Sequence, residues 1–179
     1  MNRMKNTYRF IGLFAFLVLF CMGCSKDDSS TDNEEVFMRC KMNGKLVEFK
    51  YRVNANDKPA DWNKIHFVTL GGSEGEDLLS PGFGIQLVSE EGAKETTYVV
   101  ANNSGPELRG GYYIQNVVDG KIVSTTGFTG DGSDGSNFTL NITSLTKWGV
   151  KGTFSGLLVG DASVIKVTEG EFSAPYNKN

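Results

Sequence analysis

Histidine occurs once in these 179 residues, cysteine three times and proline four times, and the longest apolar stretch, Phe10 to Met22, stops at 13 residues. Each scarcity narrows the chemistry. A Ser/His/acid or Cys/His arrangement would have to use His66, which stands in the apolar run Ile65-His66-Phe67-Val68, where a strand histidine makes a structural hydrogen bond or faces solvent. No serine sits in a recognisable nucleophile turn, and Ser144-Leu145-Thr146-Lys147 matches the Ser-x-x-Lys string of serine acyl enzymes without its helix start or companion motifs. The 13 apolar residues fall short of the roughly 20 that a bilayer-spanning helix needs. Cations are outnumbered as well: 18 Lys and Arg against 21 Asp and Glu give a net charge of −3 with no basic cluster, which argues against a nucleic-acid partner. Cys40 alternates with Val36, Met38 and Met42 on one strand face, with Arg39 and Lys41 on the other. It reads as a small buried hydrophobe, because nothing near it in sequence would lower its thiol pKa.

The first 28 residues carry the clearest signal. Arg3, Lys5 and Arg9 precede the apolar stretch, in the charged-then-apolar order of a secretory signal. The stretch closes on Cys21-Met22-Gly23-Cys24 and gives way to Ser25-Lys26-Asp27-Asp28. This junction resembles the lipobox of bacterial lipoproteins, with Cys21 and Met22 in the places where Leu and then Ala or Ser are usual. The resemblance implies that residues 1–23 are removed and that Cys24 becomes the acylated first residue. The Lys-then-acidic tag is similar to that of Bacteroidetes lipoproteins, which implies the outer membrane and its exterior face. The alternatives are an ordinary secretory cut at Gly23 or a lipoprotein facing the periplasm. Cleavage before Cys24 takes away three cations and no acid, moving the charge from −3 to −6. It leaves Cys40 as the one unacylated cysteine, so no intramolecular disulfide can form. Ser25 to Glu35 holds no apolar residue and reads, with Cys24, as a disordered tether over 24–35 that spans roughly 20 Å on average.

Residues 36–179 read as a single β-rich domain. Short runs rich in Val, Ile, Phe, Tyr and Thr are punctuated by glycine, and helical periodicity is nearly absent. Asn43-Gly44 and Asp119-Gly120 are the residue pairs that tight type I′ hairpins need, joining 36–42 to 45–51 and 112–118 to 121–126. Further strands are expected over 65–70, 83–88, 96–100, 138–143, 150–159 and 163–172. Phe83, Ile85 and Leu87 share one face, as do Phe138, Leu140 and Ile142. Such alternation belongs to antiparallel sheets with one solvated face. The expectation is an antiparallel β-sandwich or a closed β-barrel of about ten strands, with one helical turn over 56–64 and an acidic loop over 71–81.

Gly152-Thr153-Phe154-Ser155-Gly156, followed by Val167-Thr168-Glu169-Gly170-Glu171-Phe172, resembles a phrase recurrent in uncharacterised Bacteroidetes lipoprotein families known as domains of unknown function. The resemblance covers about 40 residues, implies an all-β lipoprotein and brings no catalytic residues. Thr153-Phe154-Ser155 echoes Glu171-Phe172-Ser173, as neighbouring antiparallel strands often do.

Asp131-Gly132-Ser133-Asp134-Gly135-Ser136-Asn137 spaces oxygen side chains as a calcium loop would, but Gly135 occupies the fifth position and Ile142 stands where the twelfth-position Glu belongs. An exposed hairpin loop uses the same residues. Glu74, Glu76, Asp77, Glu90 and Glu91 could pair for glycoside cleavage only if a fold set two of them across a cleft. Aromatic residues offer the better lead. Tyr112 and Tyr113 are adjacent on a strand and must point to opposite faces, while Trp62 and Trp148 lie outside the alternating core pattern. An exposed ring can stack on a sugar or anchor a partner. The functional expectation is a lipid-anchored, surface-exposed binding or accessory protein for glycan or peptide capture, adhesion, or service to an outer-membrane transporter. It needs no cofactor or metal. Alternatives are an inhibitor or immunity protein, or a hydrolase using loop carboxylates.

Overall fold

The period-two alternation resolves into eleven strands in the computed structural model, which describes residues 34–56, 67–89, 92–100 and 107–177. Cys24, Trp62, His66, Glu90, Glu91 and the expected helical turn beyond Asn56 lie outside the described residues. The strands are β1 (Phe37–Met42), β2 (Lys45–Glu48), β3 (Tyr51–Ala55), β4 (Phe67–Ser73), β5 (Gly82–Val88), β6 (Thr97–Val99), β7 (Glu107–Val118), β8 (Lys121–Gly130), β9 (Asn137–Leu145), β10 (Gly149–Val159) and β11 (Val164–Pro175). Among the described residues there is no α-helix, only a short 3-10 turn at Ser133–Gly135. The protein is all-β, with one large antiparallel sheet that does not close among the described residues.

The sheet runs β2-β1-β11-β10-β8-β7-β5-β4-β3, with β9 also pairing β10 and β6 pairing β9. Strand β10 pairs β9 from Val150 to Leu157 and reaches β8 only at Val159, opposite Thr129. A single parallel bridge joins Ala55 to Tyr176. Both tight hairpins are present. Met42 pairs Lys45 and Val118 pairs Lys121, and all four turn residues take the positive φ that a two-residue hairpin loop demands: Asn43 at 50°, Gly44 at 83°, Asp119 at 47° and Gly120 at 72°.

Inward positions alternate as the sequence predicts. Met38 and Cys40, Val68 and Leu70, Phe83, Ile85 and Leu87, and Phe138, Leu140 and Ile142 are all buried. Phenylalanine rings form a continuous line through this core. Phe49 packs on Phe83 at 5.6 Å, Phe83 on Phe154 at 5.1 Å, and Phe154 on Phe172 at 6.3 Å, with Phe138 contacting both Phe83 and Phe154. Each such ring contributes roughly 1.5–3 kcal/mol by leaving water. Burial pushes the Cys40 thiol up to about 12, with the Glu74 charge adding to the effect.

Several boundaries differ from the sequence expectation: β4 runs on to Ser73 into the expected acidic loop, β8 to Gly130 and β11 to Pro175, and two further differences bear on the core. Residues 45–51, expected as one strand, break at Phe49 and Lys50 into the end of β2 and the start of β3, which occupy opposite ends of the sheet path. The corner is made by Phe49, fully buried against Phe83 and Tyr112, whose backbone N–H donates to the Met38 carbonyl at 2.9 Å. Strand β7 begins at Glu107 rather than Tyr112, running straight through Gly110 and Gly111. A Cβ on Gly110 would lie 2.6 Å from Phe138 Cζ, so this glycine marks a ring seated against the strand and not a turn.

Candidate functional site

The outward positions of β1, β11 and β10 form a shallow trough. Register sets Phe37 opposite Ser173 and Ser173 opposite Lys151; one rung on, Arg39 faces Glu171 and Glu171 faces Thr153. These rungs bring together residues more than a hundred positions apart. Arg39 Nε donates to Glu171 Oε1 at 2.5 Å, Lys41 Nζ pairs with Glu169 at 2.8 Å, and Lys151 Nζ pairs with the Glu34 carboxylate. The Arg39 guanidinium also lies 5.0 Å from the centre of the Phe37 ring. Two hollows follow, one of about 330 Å³ between Arg39, Lys41, Leu46 and Glu169, the other of about 420 Å³ between Phe37, Thr143, Lys151 and Ser173. Thr153 and Glu171 line both and so mark the middle of the trough. Ser173 is only 3% exposed, and its hydroxyl has no hydrogen-bond partner in the described structure. An unmet buried hydroxyl is unusual enough to need an explanation.

The aromatic candidates are dispersed. Trp148, half-buried in the β9–β10 turn, accepts at its carbonyl from the Tyr176 N–H at 3.0 Å and carries the Lys151 ammonium 5.7 Å from its ring centre. Through Lys151 it adjoins the trough. Tyr113 points outward from β7 at 38% exposure, and its ring covers Gly82 across the ladder, where an added Cβ would sit 2.6 Å from Tyr113 Cζ. Tyr112 points inward, as its neighbour's facing demands. Its ring lies 6.4 Å from Phe49 and 6.3 Å from Phe128, and its hydroxyl donates to Glu74 Oε1 at 2.7 Å. Burial and that carboxylate push the Tyr112 phenol well above its ordinary pKa. Among the described contacts, none joins Tyr113 to Trp148.

The acidic loop is held from outside. Arg52, on β3, donates to the carbonyls of Glu76 and Asp77, both at 2.7 Å, while Asp77 Oδ1 accepts from the Leu79 N–H at 2.8 Å. Glu74 is engaged by Tyr112 and Asp77 by its own turn, so neither faces another carboxylate in a described contact. In the 131–137 loop, Asp131 Oδ1 accepts from the Ser133 hydroxyl at 2.6 Å and from its N–H at 3.0 Å, and Arg109 approaches Oδ2 at 3.3 Å. These donors hold the Asp131 carboxyl below its ordinary pKa and knit the loop internally. Among the described residues, no group of three or more His, Cys, Asp or Glu side chains could hold a metal ion. No helix among them is long and apolar enough to cross a membrane.

A second surface lies at the far end of the β7–β8 hairpin. Pairing of β7 with β5 ends at Tyr113, and β8 meets β10 only at Thr129, so residues 114–127 form a two-stranded ribbon whose edges no other described strand pairs. Val117, Val118, Ile122 and Val123 are 39%, 56%, 49% and 62% exposed at its tip. The ribbon carries two charges, Asp119 and Lys121, both beside the turn.

The trough residues Phe37, Lys151, Thr153, Glu171 and Ser173 were not marked by sequence reasoning. Polar residues at outward strand positions look the same whether they line a site or meet water, and only register assembles these. No protein-family model, curated protein or solved structure matches this chain.

Proposed function

We propose that the protein is a lipid-anchored binding or accessory protein of the outer membrane, held by an acylated Cys24 and presented to the cell exterior. The carrying observation is the Gly23-Cys24 junction, with a cationic and apolar leader before it and Ser-Lys-Asp-Asp after it. The sheet is read as a sandwich, one layer being β6-β9-β10-β11-β1-β2 and the other β8-β7-β5-β4-β3. Support comes from ring contacts between the layers, Phe83 to Phe138 and Phe154, and from the single rung by which β10 reaches β8. In this reading the trough is the ligand-facing surface, with Trp148 at its rim, and the ligand is a glycan or peptide captured for uptake. Membership of the uncharacterised Bacteroidetes lipoprotein families is part of the same proposal, supported by the Gly-Thr-Phe-Ser-Gly phrase.

Labelling producing cells with a palmitate analogue tests the anchor. Label is expected on the wild type and absent from Cys24→Ser, with protease treatment of intact cells removing the domain. An unlabelled wild-type protein in the soluble fraction would overturn the reading. The inhibitor or immunity reading is favoured by one observation, the apolar ribbon tip, and predicts a tight protein complex lost on Ile122→Lys.

A further inference from the structure

We infer that the outer-face trough is a binding site for a neutral oligosaccharide, an inference that rests on the binding-protein reading above and names its ligand class. The two hollows share Thr153 and Glu171 and follow β1 from Phe37 to Lys41, a run of about 14 Å at the usual rise per strand residue. Each hollow falls within or near the size of ordinary ligand pockets, and their end-to-end arrangement suits a short linear chain rather than a compact molecule.

The cations of the lining are already paired with acids. Arg39 is paired with Glu171, Lys41 with Glu169 and Lys151 with Glu34, and the remaining acid of the lining, Glu35, adds its field to Arg39. An anionic or cationic ligand would have to break an existing pair to gain its own. A neutral ligand rich in hydroxyls needs no such exchange, because the paired groups keep donor hydrogens and acceptor lone pairs for it.

One hydroxyl of the lining residues is unmet. Ser173 lies in the lining with Thr143 and Thr153 and is almost wholly buried, its hydroxyl lacks a partner, and a ligand hydroxyl that parts the side chains covering it supplies one. Phe37 adds an apolar ring wall to this polar lining, the mixture that a sugar ring with its hydroxyl rim and C–H faces requires. A peptide is served less well. Extended peptides gain affinity by pairing main chain with a free strand edge, whereas in the trough β11 has both edges occupied, by β1 and β10.

The test uses the mature lipoprotein in detergent, titrated calorimetrically with linear hexasaccharides of glucose, mannose, galactose and xylose. An oligogalacturonate and a mixture of decapeptides serve as contrasting probes. At least one neutral hexasaccharide is expected to bind, with Phe37→Ala and Thr153→Glu each weakening it about tenfold or more. Ser173→Ala is expected to weaken binding without lowering the thermal midpoint, since it removes an unmet buried hydroxyl, and exposed Asp161→Asn is expected to bind as wild type. Circular dichroism confirms that each variant is folded. Binding of a hexasaccharide equally well by all three trough variants overturns the site. Binding of peptides or oligogalacturonate alone overturns the ligand class while the binding-protein reading stands. Binding of none of these probes overturns the inference, and the palmitate experiment then decides separately whether the anchor reading survives.

Discussion

Gly152 stands directly opposite Phe172 across the β10–β11 ladder, and an added Cβ on that glycine would lie 2.8 Å from Phe172 Cζ. Two residues on, the arrangement is reversed, with Phe154 opposite Gly170 and an added Cβ there 2.6 Å from Phe154 Cδ2. Between them, Thr153 faces Glu171 on the outer side. The echo between Gly-Thr-Phe and Gly-Glu-Phe is therefore one cross-strand device. Each strand gives up a side chain so that its neighbour's ring can lie flat in the core, and the central pair is left to line the trough.

Gly152→Ala should therefore overpack the core. The added methyl meets the Phe172 ring and the Asn141 carbonyl, neither of which can retreat easily. A loss of about 1–3 kcal/mol is expected, read as a lower urea midpoint with an unchanged slope. A midpoint within error of the wild type would show that the ladder can slide to make room.

Alkaline pH should destabilise the fold through its buried thiol and phenols. Burial raises Tyr112 together with the Glu74 contact, and raises Tyr176 and Cys40 each to about 12. A folded-state pKa above the unfolded one means that the native protein holds its proton more tightly. The contribution is fully present below the unfolded values, about 8.5 for Cys and 10 for Tyr, and is lost progressively as pH rises above them. Urea unfolding between pH 8 and pH 11 should show a declining midpoint, with a shallower decline in Tyr112→Phe.

The Cys40 thiol should be silent in the native protein. It is fully buried and its pKa is raised, so at pH 8 almost none is thiolate and none is accessible. With Cys21 and Cys24 replaced by Ser, a thiol-reactive chromogen should give no signal until denaturant is added, and then one equivalent. Rapid native reaction would mean that the β1 face opens.

Arg52→Ala should loosen the acidic loop without unfolding the domain. The guanidinium reaches the carbonyls of Gly75, Glu76 and Asp77 from an exposed position, and Arg52→Lys, with one ammonium in place of a planar fork, cannot span all three. Limited proteolysis should cut within 75–80 faster in both variants, while the thermal midpoint moves little. Equal cutting of all three proteins would assign the loop's order to Ser73 and Pro81 instead.

Local chemistry was legible in the sequence wherever it sufficed. Asn43-Gly44 and Asp119-Gly120 make tight turns because of their own backbone freedom, and Cys40 faces the core because its neighbours two away do. The outward facing of Tyr113 follows from the inward packing of Tyr112. Long-range packing was not legible. The corner at Phe49 exists because its ring finds Phe83 and Tyr112, and the start of β7 at Glu107 was hidden because the Phe138 ring that excludes a side chain at Gly110 comes from another strand. The trough escaped notice for the same reason, since Phe37, Lys151 and Ser173 become neighbours only through two ladders.

The ribbon beyond Tyr113 has a dynamic consequence. A two-stranded hairpin standing alone in water is at best marginally stable, and among the described residues this one has no third strand along its outer half. Its root is clamped by Phe128 and Gly130 within the sheet, so amide exchange should quicken steadily from Thr129 towards Gly120 rather than in one cooperative step. The open edges leave half of each strand's hydrogen-bonding groups to water. Any chain that pairs with either edge would convert that graded fraying into protection, and the positions at which exchange slows would mark its footprint strand by strand.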